Sequence, residues 1–172
     1  MKQAGILIMR DEADVLEEYL DHITQWFDYI WVLDGSDNDL NLAITQKFPE
    51  IRQHRYDGEF LELKEFKFCD GYRRPILQLM KQDPEFWTKQ WVGVLQPDEF
   101  WHSNPLDLIN LCPGHSSSIM VKLVHFFLHT SQRENWRYDY SLGDRIEDKL
   151  KYYMWPGSAE MRLFRATDQA EY

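Results

Sequence analysis

Short apolar runs, separated by polar turn-forming segments, recur along the whole chain. The first two, AGILIM and YIWVL, contain no charged residue. Runs of this kind are typical of strands buried on both faces, as in a parallel sheet. Residues 51–56 predict a third, more polar strand, WVGVLQ the next, and MRLFR a late one. Residues 116–128 are rich in β-branched and aromatic side chains, which predicts one strand or two joined by a bend.

Amphipathic stretches lie between these runs and predict helices. The stretch after the first run repeats its apolar residues at helical spacing, with Asp11 as the expected cap. The stretch after the second run predicts another helix with one apolar face. The apolar positions of these two stretches are Leu16, Leu20, Ile23 and Phe27, then Leu40, Ile44 and Phe48. RRPILQLMKQD predicts a third helix, with Pro75 in its first turn, and Asn104-Pro105 predicts the cap and first turn of a fourth.

The alternation of strands and helices predicts an α/β fold. Successive strand–helix–strand units connect by right-handed crossovers, which places the strands in one mostly parallel sheet flanked by helices. The chain has 172 residues, enough for one domain with a substantial core. We therefore expect a single Rossmann-type domain over residues 1–172, without internal repeats or linkers.

Charge and cysteine content narrow the classes of partner. The formal net charge is -10, and a field of that sign repels nucleic acid and anionic lipid. The two cysteines, Cys69 and Cys112, lack metal-ligand spacing and favour a reducing compartment. The apolar run Ala4–Met9 is too short for a signal peptide or a membrane span. We expect a soluble, cytoplasmic protein, with formation of a homo-oligomer left open.

Charged clusters follow three of the predicted strands. They are Arg10-Asp11-Glu12, Asp34-Gly35-Ser36-Asp37 and Asp98-Glu99. In open α/β sheets, ligands bind beyond the carboxyl ends of the strands, so the three clusters together predict a binding site at that edge. Each cluster alone has a simpler explanation, because Asp, Ser and Gly are common in helix caps and turns.

The same segments resemble, in order, the motifs of family 2-like glycosyltransferases of the GT-A fold. ILIMRDEADVLEEYL resembles their opening strand and its Asn-Glu-Ala type motif, and VLDGSDND resembles the second-strand Asp-Gly-Ser motif. GYRRPIL resembles the helix start that supplies an arginine near the nucleotide. LQPDEFWH resembles the Asp-x-Asp motif, and MWPGSAEMRLFR resembles the late strand. The match spans most of the chain.

The resemblance implies a site for a nucleotide-diphosphate sugar, with a UDP-sugar favoured. Asp34 would accept hydrogen bonds from uracil or ribose, Arg73 or Arg74 would face the diphosphate, and Asp98 with Glu99 would bind Mn²⁺ or Mg²⁺. The metal would stabilise the departing nucleoside diphosphate. The full set of implied nucleotide-binding residues is Arg10, Glu12, Asp34, Gly35, Ser36, Arg73, Arg74 and Gln96.

The chain departs from the family pattern at two points. Gln96 stands where the first Asp of the Asp-x-Asp motif is expected, and the chain ends at Tyr172 soon after the late strand. We therefore expect that the site for the acceptor, a glycan or a small molecule, is minimal, supplied by a partner or absent. An inverting transfer needs a general base. Asp148, in the pair Glu147-Asp148, is one candidate, although this charged stretch is also typical of a solvated helix face. Glu99 is the other candidate.

Three functions are compatible with these residues. The first is transfer of a sugar from a nucleotide-diphosphate sugar with the help of a divalent cation. The second is a non-catalytic protein of the same fold that binds a nucleotide or a sugar, which Gln96 and the end of the chain at Tyr172 favour. The third is a metal-dependent nucleotidyltransferase or phosphohydrolase that uses Asp34 and Asp98. Fold resemblance alone does not decide among them, because function depends on the site.

Overall fold

The computed structural model describes residues 3–56, 73–97, 99–101, 103–122, 125–127, 152–154 and 159–167. Within these ranges the helices are α1 (Ala13–Ile23), α2 (Leu40–Thr45), α3 (Arg73–Met80) and α4 (Pro105–Leu111), with a short 3₁₀ helix at Phe86–Thr88. The strands are β1 (Gln3–Met9), β2 (Phe27–Asp34), β3 (Ile51–Arg55), β4 (Trp91–Leu95), β5 (Ser118–Lys122), β6 (His125–Phe127), β7 (Tyr152–Met154) and β8 (Ala159–Arg165).

Six strands form the main sheet in the order β3-β2-β1-β4-β8-β5. The pairs β1–β2, β1–β4 and β2–β3 are parallel, whereas β4 and β8 are antiparallel. The apolar runs that predicted β1, β2 and β4 are buried over almost their whole length, because helices or loops cover both faces of a parallel sheet. The predicted α/β fold with a mostly parallel sheet is confirmed.

Two apolar clusters lie on the opposite faces of this sheet. Alternate residues of β1, β2 and β4 face either α3 or the pair α1 and α2, because successive side chains of a strand point to opposite faces. On one side, Ile76, Leu77 and Met80 of α3 pack against the sheet. On the other side, Leu16, Leu20 and Ile23 of α1 do so. The predicted buried face of α1 is confirmed at these three residues, whereas Phe27 is the first residue of β2 and not part of the helix.

Helix α2 presents a different face to the core from the one that the sequence predicts. Leu40 is 61% exposed, and Asn41 and Thr45 are the buried residues of this helix. Ile44 and Phe48 pack against the edge of the core, as expected. Hydrogen bonds explain the difference, because the Asn41 amide donates to Asp34, the last residue of β2, and to Ser36 in the loop that follows. These bonds turn a polar side chain inward in place of Leu40.

Of the predicted helix starts, those at Asn104 and Pro75 are confirmed, and the cap at Asp11 is not. The Asn104 side chain accepts a hydrogen bond from the Leu106 backbone N–H at 2.9 Å, as a helix cap does. Pro75 lies in the first turn of α3. The predicted cap at Asp11 is wrong, because α1 is preceded directly by Glu12, whose side chain makes no capping bond. Asp11 instead has a backbone φ of 55°.

The chain divides into two compact units, residues Met1–Ile119 with Met161–Tyr172, and residues Met120–Glu160. The described part of the second unit includes the antiparallel pair β6–β7, in which His125 lies opposite Met154. The predicted segment 116–128 thus holds two strands, β5 and β6. The assignment of residues 1–172 to one nucleotide-sugar-binding domain stays a prediction. In the described ranges, no helix is long and apolar enough to cross a membrane.

Candidate functional site

The last residues of three adjacent parallel strands lie in register at one edge of the sheet. Met9 of β1 is opposite Asp34 of β2, and Asp34 is opposite Arg55 of β3. In β4, Leu95 pairs with Leu7 of β1, so Gln96 leaves the sheet at the same edge. The residues that follow each strand therefore start from neighbouring positions. This is the edge at which open α/β sheets bind ligands.

Asp34 is the centre of a buried hydrogen-bond network. Its Oδ1 accepts from the Ser36 N–H at 3.0 Å, from the Ser36 hydroxyl at 2.5 Å and from the Asn41 amide at 3.2 Å. Its Oδ2 accepts from the Gln53 amide at 2.9 Å. The side chain is 1% exposed. A buried carboxylate needs such donors to offset the loss of hydration. In this structure Asp34 therefore fixes the loop that follows β2.

The loops after β1 and β2 are also joined to each other. The Asp11 N–H donates to the Ser36 hydroxyl oxygen at 2.8 Å, and the Gly35 N–H donates to the Met9 carbonyl at 2.9 Å. At the surface, Arg10 Nη2 lies 3.3 Å from Asp37 Oδ2. The positive φ of Asp11 is the backbone conformation that accompanies the first of these bonds. The RDE and DGSD motifs thus form one connected surface, as their positions at strand ends predict.

Arg55 also belongs to this surface, although sequence reasoning missed it. Its guanidinium forms an ion pair with Asp39 and donates to the carbonyl oxygens of Ser36 and Asn38, each at 3.3 Å. A signal existed in the sequence, since Arg55 lies next to the last residue of the predicted strand 51–56, and the structure places it opposite Asp34. The Arg55 side chain thus connects β3 to the loop that follows β2.

A second polar cluster lies where β4 ends. Arg73, the first residue of α3, is 1% exposed, and Arg162 of β8 is 3% exposed. Glu99 forms an ion pair with Arg162. The Gln96 amide lies between Glu99 and Arg73, with 3.1 Å to Glu99 Oε1 and 2.8 Å to Arg73 Nη2. Sequence reasoning identified Gln96, Glu99 and Arg73 for this region but missed Arg162, which the late-strand motif MRLFR contains.

The other predicted site residues are only partly described. Glu12 precedes α1, and its backbone carbonyl accepts from the N–H groups of Val15 and Leu16. Asp98, Asp148 and the side chain of Arg74 lie outside the described residues. Their predicted roles in metal binding, base catalysis and phosphate binding stay predictions.

The described carboxylates do not form a metal-ligand set. No group of three or more His, Cys, Asp or Glu side chains suited to hold a metal ion occurs in the described ranges. Glu99, one of the two predicted ligands, is paired with a buried arginine. A carboxylate in such a pair is engaged by a cation of the chain itself.

An aromatic pair, Trp31 of β2 and His54 of β3, lies on the face of the sheet opposite to the Asp34 network. The rings of His54 and Trp31 stack with their centroids 4.7 Å apart. Burial lowers the pKa of His54 below its ordinary value, because desolvation disfavours the charged imidazolium. This pair lies next to the end of β3 and stabilises the edge strand that carries Arg55.

Comparison with known proteins gives a likeness of fold. No family model matches the chain, and no curated protein matches its sequence. A solved structure of 4-diphosphocytidyl-2C-methyl-D-erythritol synthase matches over 96% of this chain and 76% of its own, with a TM-score of 0.54 and 10% identity. The synthase of the same name from Anaerococcus prevotii DSM 20548 matches over 96% of this chain and 70% of its own, with a TM-score of 0.45 and 10% identity. The first of these likenesses shows that the chain has the Rossmann-like α/β fold of such a synthase.

Proposed function

We propose that this chain is a transferase that binds a nucleotide at the carboxyl edge of β1, β2 and β4 and transfers the nucleotidyl group. The observation that carries the proposal is the placement of the two polar clusters at this edge, in a fold shared with a synthase whose named product carries a diphosphocytidyl group. A pyrimidine nucleoside triphosphate is the donor that such a product implies. The family 2-like glycosyltransferase motifs are consistent with the same binding edge.

The chemistry requires stabilisation of phosphate charge. In nucleotidyl transfer, an oxygen of the acceptor attacks the α-phosphorus of the triphosphate, and the bond to the departing pyrophosphate breaks. Negative charge grows on the pyrophosphate, and a guanidinium can stabilise it through two parallel hydrogen bonds. Arg73 has this role in the proposal, because it begins α3 at the end of β4. Arg10, exposed on the β1 loop, is the second candidate.

In the proposal, the loop after β2 contacts the nucleoside. Since both oxygens of Asp34 accept bonds from the chain itself, we assign Asp34 to holding the loop in shape. Contacts to base and ribose then fall to the loop of residues 35–39 and to Glu12. A divalent cation, Mg²⁺ or Mn²⁺, belongs to the proposal with Asp98 as its ligand. It would supply Lewis-acid stabilisation of the phosphates.

The products of the reaction test the proposal. The chain is incubated with CTP or UTP, Mg²⁺ or Mn²⁺ and a panel of phosphorylated sugars and polyols, and pyrophosphate release is measured. Binding of each nucleotide is measured by calorimetry with and without the cation. Arg73→Met is expected to weaken triphosphate binding about tenfold or more, as loss of a charge-assisted contact implies. Lys47→Met serves as a control for loss of a positive charge, since Lys47 forms an exposed ion pair with Glu17 of α1.

Sugar transfer is the second candidate, and the ordered motifs at the strand ends favour it. It consumes a UDP-sugar and releases UDP, whereas nucleotidyl transfer releases pyrophosphate. Release of UDP from a UDP-sugar without pyrophosphate would therefore select sugar transfer. Tight nucleotide binding without turnover of any donor would select the non-catalytic binding protein. Absence of binding to every nucleotide tested would contradict all three.

A further inference from the structure

Gln96 lies between two neighbours of opposite hydrogen-bonding character. On one side is Glu99 Oε1, an acceptor, at 3.1 Å from the amide nitrogen. On the other side is Arg73 Nη2, a donor, at 2.8 Å from the amide oxygen. A primary amide carries both a donor and an acceptor on one planar group. The amide orientation that satisfies both neighbours is the one that faces its nitrogen to Glu99.

A carboxylate at position 96 could not make the same two contacts. An ionised Asp or Glu only accepts hydrogen bonds, so it would suit Arg73 but would face the carboxylate of Glu99. Two carboxylates this close repel each other unless a proton or a cation lies between them. The side chain at position 96 thus has a physical reason to be an amide. The departure from the Asp-x-Asp pattern is therefore consistent with a site in which the side chain at position 96 bonds to Arg73 and Glu99.

The chain of contacts extends to the late strand. Glu99 forms its ion pair with Arg162, which is 3% exposed and lies on β8. The antiparallel pairing of β4 and β8 fixes the position of Arg162 beside the end of β4. Arg162, Glu99, Gln96 and Arg73 are therefore linked in series from β8 to the first residue of α3. Buried ion pairs and amides of this kind specify one geometry, because each lost contact leaves a buried polar group.

We propose that Gln96, together with Glu99 and Arg162, positions the guanidinium of Arg73 towards the phosphates of the bound nucleotide. Gln96 is then a positioning residue and not a weakened metal ligand. The identity of the ligand as a nucleotide rests on the function proposed above. The position of the Arg73 guanidinium and the hydrogen-bonding role of Gln96 rest on the contacts of these four side chains.

The experiment exchanges the carboxylate and the amide. Three variants are compared with the unaltered chain: Gln96→Glu, Gln96→Met, and the double variant Gln96→Glu with Glu99→Gln. The double variant has the same atoms, size and net charge as the original pair. Its carboxylate at position 96 can accept from Arg73 and from the amide at position 99, whose oxygen can accept from Arg162. Thermal unfolding, Mn²⁺ binding without nucleotide, and CTP binding are measured for each.

A positioning role predicts a loss in the single variants and a recovery in the double one. Gln96→Glu should lower the unfolding temperature by about 5 °C or more and weaken CTP binding about tenfold, without tighter Mn²⁺ binding. The double variant should recover most of both losses. Gln96→Met, which offers no hydrogen bond, should weaken CTP binding to a similar extent as Gln96→Glu.

Two results would overturn the proposal. The first is tighter Mn²⁺ binding by Gln96→Glu, which would make position 96 part of a cation site. The second is a double variant no more stable than Gln96→Glu. Failure of the unaltered chain to bind CTP is a separate result, which counts against the proposed function. The unfolding and Mn²⁺ measurements still decide the geometry of the four side chains in that case.

Discussion

Replacement of Asp34 by alanine should destabilise the fold far more than replacement by asparagine. Alanine removes the acceptor of four hydrogen bonds, which come from the Ser36 N–H, the Ser36 hydroxyl, Asn41 and Gln53. A hydrogen bond to a charged group contributes about 1.5–3 kcal/mol, and a buried donor left without an acceptor costs about 1–3 kcal/mol. Asn41 keeps a partner, because it also donates to the Ser36 hydroxyl at 2.8 Å. We therefore expect a loss of about 4 kcal/mol.

Asparagine can keep most of this network. Its oxygen can accept from Ser36 and Asn41, while its NH₂ group faces Gln53. The Gln53 amide can rotate to offer its oxygen, and the Thr45 hydroxyl, which contacts Gln53 now, can accept from the rotated nitrogen while donating to the Leu42 carbonyl. The expected cost is about 1 kcal/mol, since a neutral acceptor replaces a charged one.

Thermal and urea unfolding of the two variants measure this difference. A chain of this size shifts its unfolding temperature by about 2–4 °C per kcal/mol, so the alanine variant should lose about 10 °C and the asparagine variant about 3 °C. Equal losses in the two variants, or a loss within about 1 kcal/mol for alanine, would refute the role of Asp34 in holding the loop. If the asparagine variant is stable yet binds no nucleotide, Asp34 contacts the nucleoside directly.

Three further predictions follow from the packing and the backbone. Gly93→Ala should cost about 1–3 kcal/mol in urea unfolding, because the new Cβ would lie 2.5 Å from Phe27 Cε1, whereas Gly114→Ala, with nothing within 4 Å, should change little. Asp11→Gly should stabilise the fold by about 0.5–1 kcal/mol in the same assay, since φ there is 55°; a loss would show that the Asp11 side chain matters more than its backbone. The folded-state pKa of His54 is lowered by burial, so its contribution to stability is complete above its ordinary pKa of about 6.5 and is lost as the pH falls further. Thermal unfolding from about pH 7.5 to about pH 5.5 should show a smaller decrease for His54→Gln than for the unaltered chain.

The sequence predicts the strands of this fold well because they are buried on both faces. An uninterrupted apolar run such as that of β1 has few alternatives, and the strand ends then fix where the charged clusters lie. The face of α2 was not predictable in this way. Leu40 is exposed because Asn41 bonds to Asp34 and Ser36, and hydrophobic periodicity contains no information on such tertiary bonds.

The sequence predicts which strand ends carry the charged clusters, but it does not predict the hydrogen bonds and ion pairs among them. Motif resemblance places Asp34 and Glu99 at the ends of two strands of the sheet, as the structure does, and it assigns both to a ligand. In the structure both carboxylates bond to side chains of the chain itself. The partner of Glu99 is Arg162, which is 63 residues away along the chain. Two residues that are so far apart in the sequence give no sign, in the sequence alone, that they are in contact in the fold.

The position of β8 in the sheet has a consequence for the order in which the strands pair during folding. This strand is inserted between β4 and β5, although it is the last strand in the described ranges. During synthesis, β4 must remain an open edge until residues 159–165 have left the ribosome, and open edges can pair with other chains. The ion pair of Arg162 with Glu99 can form only after this step. The side of the site that contains Arg162 and Glu99 therefore assembles only after β8 is in place, and chains truncated before β8 should aggregate rather than bind nucleotide weakly.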